Sequence, residues 1–356
     1  MKILIVRIGA FGDAVITTPL VRHLAQQGNE IVYLGSEQSE QVLRHNPHIS
    51  KFILHKRDSI TNDKLGEYFA EIAKDNGCDR IIDLCESIEV RLALAADHPQ
   101  WNWPKDERKA YANLNYYEFT FDMASKQLAY KDKTIINGEE RDLTIVTMGS
   151  YGDISKCYLP DMFFSQEEQD WAMEERKSFL GQRVIMWGLS GSGRNKTWPF
   201  VPYVVGDLVK KYKDIKVILV GGNTCQILEC AFPNHNRIIK RCGEYTFRQS
   251  ALLAQYVDLV VSPDTGFLHT AGCWETPKIG LLTHTTIENI TKHFLNDFSL
   301  ESKAPCAPCF RLISDAEKQC PIEQESHATL CMGKEAMNPE DVLAQIEEVL
   351  CHSLTA

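Results

Sequence analysis

Met1-Lys2-Ile3-Leu4-Ile5-Val6-Arg7-Ile8-Gly9-Ala10-Phe11-Gly12-Asp13 opens the chain with an apolar run, a glycine turn and a carboxylate. Four consecutive apolar residues from Ile3 to Val6 are the pattern of a strand covered on both faces, as in a parallel sheet. Gly9 and Gly12 turn the chain, and Val15 to Gln27 has helical spacing. Pro19 falls inside that helix and predicts a kink or a short 3₁₀ segment. Gly28 is a natural stop, and Glu30 to Leu34 reads as the next strand. A helix over 64–74 and a strand from Arg80 to Leu84 repeat the alternation, which marks βαβ units. The stretch from His98 to Tyr117, rich in aromatics and charges, fits no element of this pattern.

A second alternating series begins near residue 183. Val184 to Met186, Val217 to Val220, Leu259 to Val261 and Lys278 to Leu282 read as strands. Thr246-Phe247-Arg248-Gln249 is a capping box that opens a helix to about Tyr256. Asn338-Pro339-Glu340-Asp341 places an N-cap before a proline at the first helical position, so a helix to about Leu350 follows. The acidic stretch Gln166 to Lys177 is expected to link the halves. The result is two doubly wound α/β domains, 1–175 and 176–356, with no internal repeat.

With 356 residues the chain can bury large apolar cores without disulfides or metals. Its net charge of −10 argues against a nucleic-acid or general polyanion binder, yet leaves room for a basic pocket that holds one diphosphate. Gly, Pro and charge contents are ordinary, which excludes collagen-like and disordered chains. The N-terminal apolar run is too short for a secretory signal, and no run approaches a membrane span of ~20 residues. A soluble, cytoplasmic protein is expected. Twelve cysteines are many for that compartment.

Three segments carry chemistry. Gly9-x-x-Gly12-Asp13 follows a strand and opens a helix, where backbone N–H groups favour anions; its spacing is not the dinucleotide G-x-G-x-x-G. Asp13 is either the cap of that helix or a catalytic base. Ser190-Gly191-Ser192-Gly193-Arg194-Asn195-Lys196-Thr197-Trp198-Pro199 is a polar loop whose amides and cations suit phosphate oxygens, though a solvated surface loop has the same composition. Pro263-Asp264-Thr265-Gly266-Phe267-Leu268-His269 places Thr265 and Gly266 at a helix N-terminus, with His269 one turn in as a further donor or a packing residue. No Asp-x-Asp occurs, so no Mg²⁺ requirement is expected.

Four of the twelve cysteines share 26 residues: Cys306, Cys309, Cys320 and Cys331. A Cys-x-x-Cys turn followed by two cysteines, each after ten intervening residues, fits a closed four-thiolate site for one structural zinc or iron per chain, in a module at about 304–333. Unpaired thiols, or a redox pair at Cys306 and Cys309, are the alternatives.

The ordered set G-A-F-G-D-A-V-I-T-T-P, K-T-W-P and S-P-D-T-G-F-L-H-T-A-G resembles glycosyltransferase family nine, the heptosyltransferases. That resemblance implies a GT-B fold, two Rossmann-like domains facing a central cleft, with the acceptor on 1–175 and the nucleotide sugar on 176–356. It implies an ADP-heptose or related ADP-sugar donor, inversion, and a protein serine or lipopolysaccharide core sugar as acceptor. The latter would bring peripheral contact with the inner face of the inner membrane. Asp13 matches the family's base, Lys196 its phosphate-binding lysine, and Asp264, Thr265, Gly266 and His269 its donor turn; Gly9, Gly12, Ser190 and Ser192 complete the candidate set. Asn223-Thr224-Cys225-Gln226 stands where family members often hold the donor ribose with an acidic residue, which leaves the sugar open. The cysteine cluster resembles the iron-binding motif of heptosyltransferases that modify autotransporter proteins, implying iron, a protein acceptor and a homo-oligomer. An epimerase or hydrolase on the same fold, or a non-catalytic sugar-nucleotide scaffold, are the rival readings.

Overall fold

A computed structural model describes residues 1–55, 64–85, 103–129, 134–136, 139–141, 157–310 and 320–352. The chain divides into two compact units, Met1–Ser87 with Tyr116–Phe163, and Ile88–Asn115 with Phe164–Ala356.

The first unit is built on β1 (Lys2–Arg7), α1 (Phe11–Gln26), β2 (Glu30–Gly35), α2 (Glu37–Leu43), β3 (Lys51–Leu54), α3 (Leu65–Asp75) and β4 (Arg80–Asp83). The strands pair in parallel in the order β3-β2-β1-β4. Ile3 to Val6 is fully buried, as a central strand between two helical layers requires. Leu4, Val6, Val32, Leu34 and Phe69 form the core on one face. No 3₁₀ segment interrupts α1 at Pro19: the helix runs on through it. Proline takes a donor from the Val15 carbonyl, and the Thr18 hydroxyl replaces it at 2.9 Å. Gly28 ends the turn after α1 with φ +83°, the left-handed region that glycine tolerates.

The second unit holds α4 (Lys105–Ala112), whereas α5 (Tyr116–Ala129) and the antiparallel pair β5 (Thr134–Ile136) and β6 (Glu139–Arg141) belong to the first. Gln127 of α5 completes the edge of β4: its amide accepts from Asp83 N–H and donates to Asp83 C=O, both at 2.7 Å. The unplaced aromatic stretch is therefore two helices in two units. Trp103 packs edge-on against Tyr111, while Tyr117 is buried in the first unit; Trp101 lies outside the described residues.

The rest of the second unit comprises α6 (Gln166–Lys177), β7 (Arg183–Gly188), α7 (Val201–Lys211), β8 (Ile215–Val220), α8 (Gln226–Glu229), β9 (Ile238–Lys240), α9 (Phe247–Leu253), β10 (Leu259–Pro263), α10 (Gly266–Ala271), β11 (Lys278–Leu282), α11 (Ile287–Ile290), β12 (Leu300–Glu301) and α12 (Pro339–His352). Its six strands are parallel, in the order β9-β8-β7-β10-β11-β12. One face carries Trp187 stacked on Trp198 with Val204, Val205 and Ile346; the other carries Met186, Val260 and Leu253. Thr246 and Gln249 make the expected capping box, and Asn338 caps α12. The acidic stretch expected to be a linker is instead the capped helix α6. Glu168 on it accepts two bonds from buried Arg248, at 2.5 and 2.8 Å, which fastens α6 to the second unit. The first unit thus ends at Phe163, where the sequence boundary was drawn at 175.

Candidate active site

Open parallel sheets bind ligands outside the carboxyl ends of their strands, where the strand order reverses direction. In the first unit that point lies between β1 and β4, and in the second between β7 and β10. The residues leaving these strands are Ile8 to Asp13 and Leu84 in one case, Leu189 to Lys196 and Asp264 to Gly266 in the other. The motifs picked out in the sequence leave the strands that flank these points.

In the first unit, Asp13 is the third residue of α1 and folds back over the turn. Its Oδ2 accepts the Ala10 N–H at 2.7 Å, so it caps the helix. Its Oδ1 accepts from Arg7 Nη2, while Arg7 Nη1 donates to the Leu84 carbonyl. Gly9 makes this possible, because a Cβ there would lie 2.7 Å from Asp13 Cβ and Cγ. Ser36 holds the turn from the other side, its hydroxyl donating to the Gly9 carbonyl at 2.6 Å. Gly12 is the second residue of α1. A small pocket beside Asp13 is lined by Arg7, Ile16, Thr17, Leu84, Tyr116, Phe119, Thr120 and Met123. A carboxylate facing an apolar-walled pocket can accept a proton from a bound hydroxyl.

In the second unit, Asp264 is buried at the centre of a charged cluster. Lys196 Nζ lies 3.7 Å from its Oδ2, His284 Nε2 3.4 Å from the same oxygen, and His269 Nε2 3.4 Å from Oδ1. The Thr285 hydroxyl donates to Oδ2 at 3.2 Å. Burial opposes charge on Asp264, but Lys196 first, then His269 and His284, hold its carboxyl well below the usual range. Burial and then Lys196 push the His284 ring down to about 4, only partly opposed by Asp264. Thr265 caps α10, its hydroxyl 3.0 Å from that of Ser262. Gly266 is the first residue of that helix. Gly191 lets the loop close on Lys196: a Cβ there would lie 2.8 Å from Lys196 Cδ and 2.9 Å from Thr265 Cγ2. Ser190 pairs with the Thr197 hydroxyl at 2.5 Å, and Ser192 is exposed on the loop. Lys196 is the lysine of this cluster.

Arg7, His284 and Thr285 were not singled out in the sequence. The signal for the last two is Thr283-His284-Thr285-Thr286, a polar run at the carboxyl end of a strand next to β10. Arg7 ends an apolar strand with a charge, also at a carboxyl end.

Cys306, Cys309, Cys320 and Cys331 line one cavity of about 40 Å³ with Asn195, Thr283 and Thr329. Burial pushes the Cys331 thiol up to about 12, with a smaller push from the other three cysteines. Among the described residues, however, no group of three or more His, Cys, Asp or Glu side chains is arranged to hold a metal ion. The four thiols share a cavity of ion-sized room and soft donor chemistry without converging on one point.

Six parallel strands in the 3-2-1-4-5-6 order, paired with a second parallel α/β unit, define the class as a GT-B-type α/β fold. The chain belongs to glycosyltransferase family 9 (heptosyltransferase), whose sequence profile matches residues 74–319, well over half of it. It is a glycosyltransferase by that membership. The structure is similar to a family 9 glycosyltransferase from Veillonella parvula, at TM-score 0.66 and 15% identity, covering 99% of this chain and 97% of that one. It is similar to the E. coli ADP-heptose lipopolysaccharide heptosyltransferase II, at TM-score 0.62 and 16% identity, covering 99% of each. The iron-containing dodecameric glycosyltransferase TibC from enterotoxigenic E. coli also aligns, at TM-score 0.54 and 12% identity, covering 99% of this chain and 79% of that one. At these identities the likeness establishes the fold. No curated protein matches the sequence. Among the described residues no helix is long and apolar enough to cross a membrane.

Proposed function

We propose that the protein transfers heptose from ADP-heptose, or a related ADP-sugar, to an acceptor hydroxyl with inversion at the anomeric carbon. The observation that supports this most is the Lys196–Asp264–His269–His284 cluster at the switch point of the second sheet, in a chain of the heptosyltransferase family. Asp13 takes the hydroxyl proton. The oxygen then bonds to the anomeric carbon while the bond to the diphosphate breaks and ADP leaves with the electron pair. Lys196 and the N–H groups of Thr265 and Gly266 offset the charge that grows on the diphosphate, which is where catalysis gains most. Asp264 acts from beneath, holding Lys196 and His269 in place rather than touching the donor. The acceptor is proposed on the first unit and the donor on the second. The sequence contains no Asp-x-Asp motif, and the chemistry is proposed to run without Mg²⁺.

The cysteine cavity is proposed to take one iron or zinc through Cys306, Cys309, Cys320 and Cys331. Such an ion would supply a structural cross-link between the segments that carry these cysteines. The likeness to TibC, itself iron-containing and dodecameric, supports iron and a homo-oligomer.

Intact-mass analysis tests the reading, with ADP-heptose as donor and either a lipopolysaccharide core fragment or a serine-containing polypeptide as acceptor. A gain of one heptose unit is expected, undiminished by a chelator. Asp13→Asn should lower transfer by roughly 10²–10⁴-fold while leaving ADP affinity intact. Release of a free sugar from the donor without any acceptor would favour hydrolysis instead.

A further inference from the structure

Arg7 is the last residue of β1, with its side chain only 10% exposed. Its guanidinium reaches two acceptors at once, the Leu84 carbonyl just past β4 and Oδ1 of Asp13. Both strands border the switch point of the first sheet. Asp13 is therefore fixed at each oxygen, by Arg7 on one side and by the Ala10 N–H on the other. A carboxylate oxygen has two lone pairs, so one on each is left for an incoming hydroxyl.

We propose that Arg7 is a positioning residue for Asp13, a fork anchored on Leu84 that sets the direction in which the carboxylate meets the acceptor hydroxyl. This rests on the reading of Asp13 as the base. Guanidinium suits the task because its donors are rigid and coplanar; an ammonium is a point charge that serves one of the two acceptors well. Orientation matters at this level, since a displacement of about 1 Å at a reacting group can cost ~10²-fold in rate. The rival explanation is that Arg7 only ties β1 to β4.

A double-mutant cycle separates them, using ADP-heptose and whichever acceptor gains mass in the experiment above. Arg7→Met should lower kcat by roughly 10²-fold with ADP affinity unchanged, and Arg7→Lys should recover about a tenth or more of the lost rate. In the Asp13→Asn background, Arg7→Met should cost less than about twofold further, because its effect runs through the carboxylate. Equal losses in both backgrounds, or an Arg7→Met enzyme as fast as the parent while Asp13→Asn is inactive, overturn the proposal and leave Asp13 as base. Full activity of Asp13→Asn removes the base, and Arg7's role with it. If Arg7→Met melts below the assay temperature, Arg7→Gln and Arg7→Lys run the same cycle.

Discussion

Among the described residues, both buried ring nitrogens of His284 lack a hydrogen-bond partner, and its Nε2 lies 3.4 Å from the Asp264 carboxylate. Its folded pKa near 4 lies below the ordinary histidine value of 6.5. Between those values the unfolded chain binds a proton that the native ring refuses, so stability is fully present above pH 6.5 and is lost as pH falls toward 4. The loss is roughly 3 kcal/mol at its limit. Asp264, held low by its partners, adds a further loss below the ordinary carboxylate range. Thermal melts across pH 4–7 should therefore slope steeply, and His284→Gln should flatten them; an unchanged slope would reject the argument. Lys196 offers a second test. Lys196→Ala should weaken ADP binding by roughly 10–100-fold, the worth of a charge-assisted contact, as read by calorimetry. Unchanged affinity would remove it from the donor site. Motif spacing pointed to Lys196, Asp264 and His269, but not to His284. Its partner is twenty residues away, and only the parallel pairing of β10 with β11 brings them together.

The turn between β1 and α1 is legible at the level of elements because its glycines have local causes. Gly9→Ala would push a methyl group into Asp13 and displace it from Ala10 and Arg7. Transfer should fall at least ~10-fold with ADP affinity unchanged, since the proposed donor turn belongs to the second unit. A fully active Gly9→Ala would show that the fold-back of Asp13 is dispensable. The strands were equally legible, being apolar runs covered on both faces. Helix α4 was not, because its anchors are remote. Asn113 accepts from Thr286, Asn115 donates to the Glu288 carbonyl, and Asn289 donates to the Leu114 carbonyl. Asn289→Ala should cost about 2 kcal/mol in denaturant unfolding, the usual penalty for stranding buried polar groups. No local pattern announces a bond between residues some 170 apart. Pro19 misled for the opposite reason: the repair by Thr18 lies one residue away, but only a built helix reveals it.

Across the whole molecule, ADP should protect one unit and not the other. A ligand bound only to the native state adds about 2.7 kcal/mol at a hundredfold excess over its Kd. Hydrogen exchange should slow in β10 and α10 on adding ADP, with little change in β1 and α1. Equal protection in both would place the nucleotide elsewhere. Metal content is read on the intact protein as well. About one equivalent of iron or zinc per chain is expected by elemental analysis, lost when the four cysteines become serine. Less than about a tenth of an equivalent would leave the cavity a packing feature.

The allocation of α4 has a consequence for how the protein is made. Residues 103–115 are translated with the first unit but dock on 286–289 of the second. At about 5–20 residues per second, a ribosome delivers that docking surface roughly 10–35 s later. Until then the segment waits without its partners. Severing the gene at residue 175 would separate the two for good. A fragment of 164–356 expressed alone should stay poorly soluble until a 103–115 peptide is supplied in trans, and a fragment that folds equally well without it would show the segment to be an ornament.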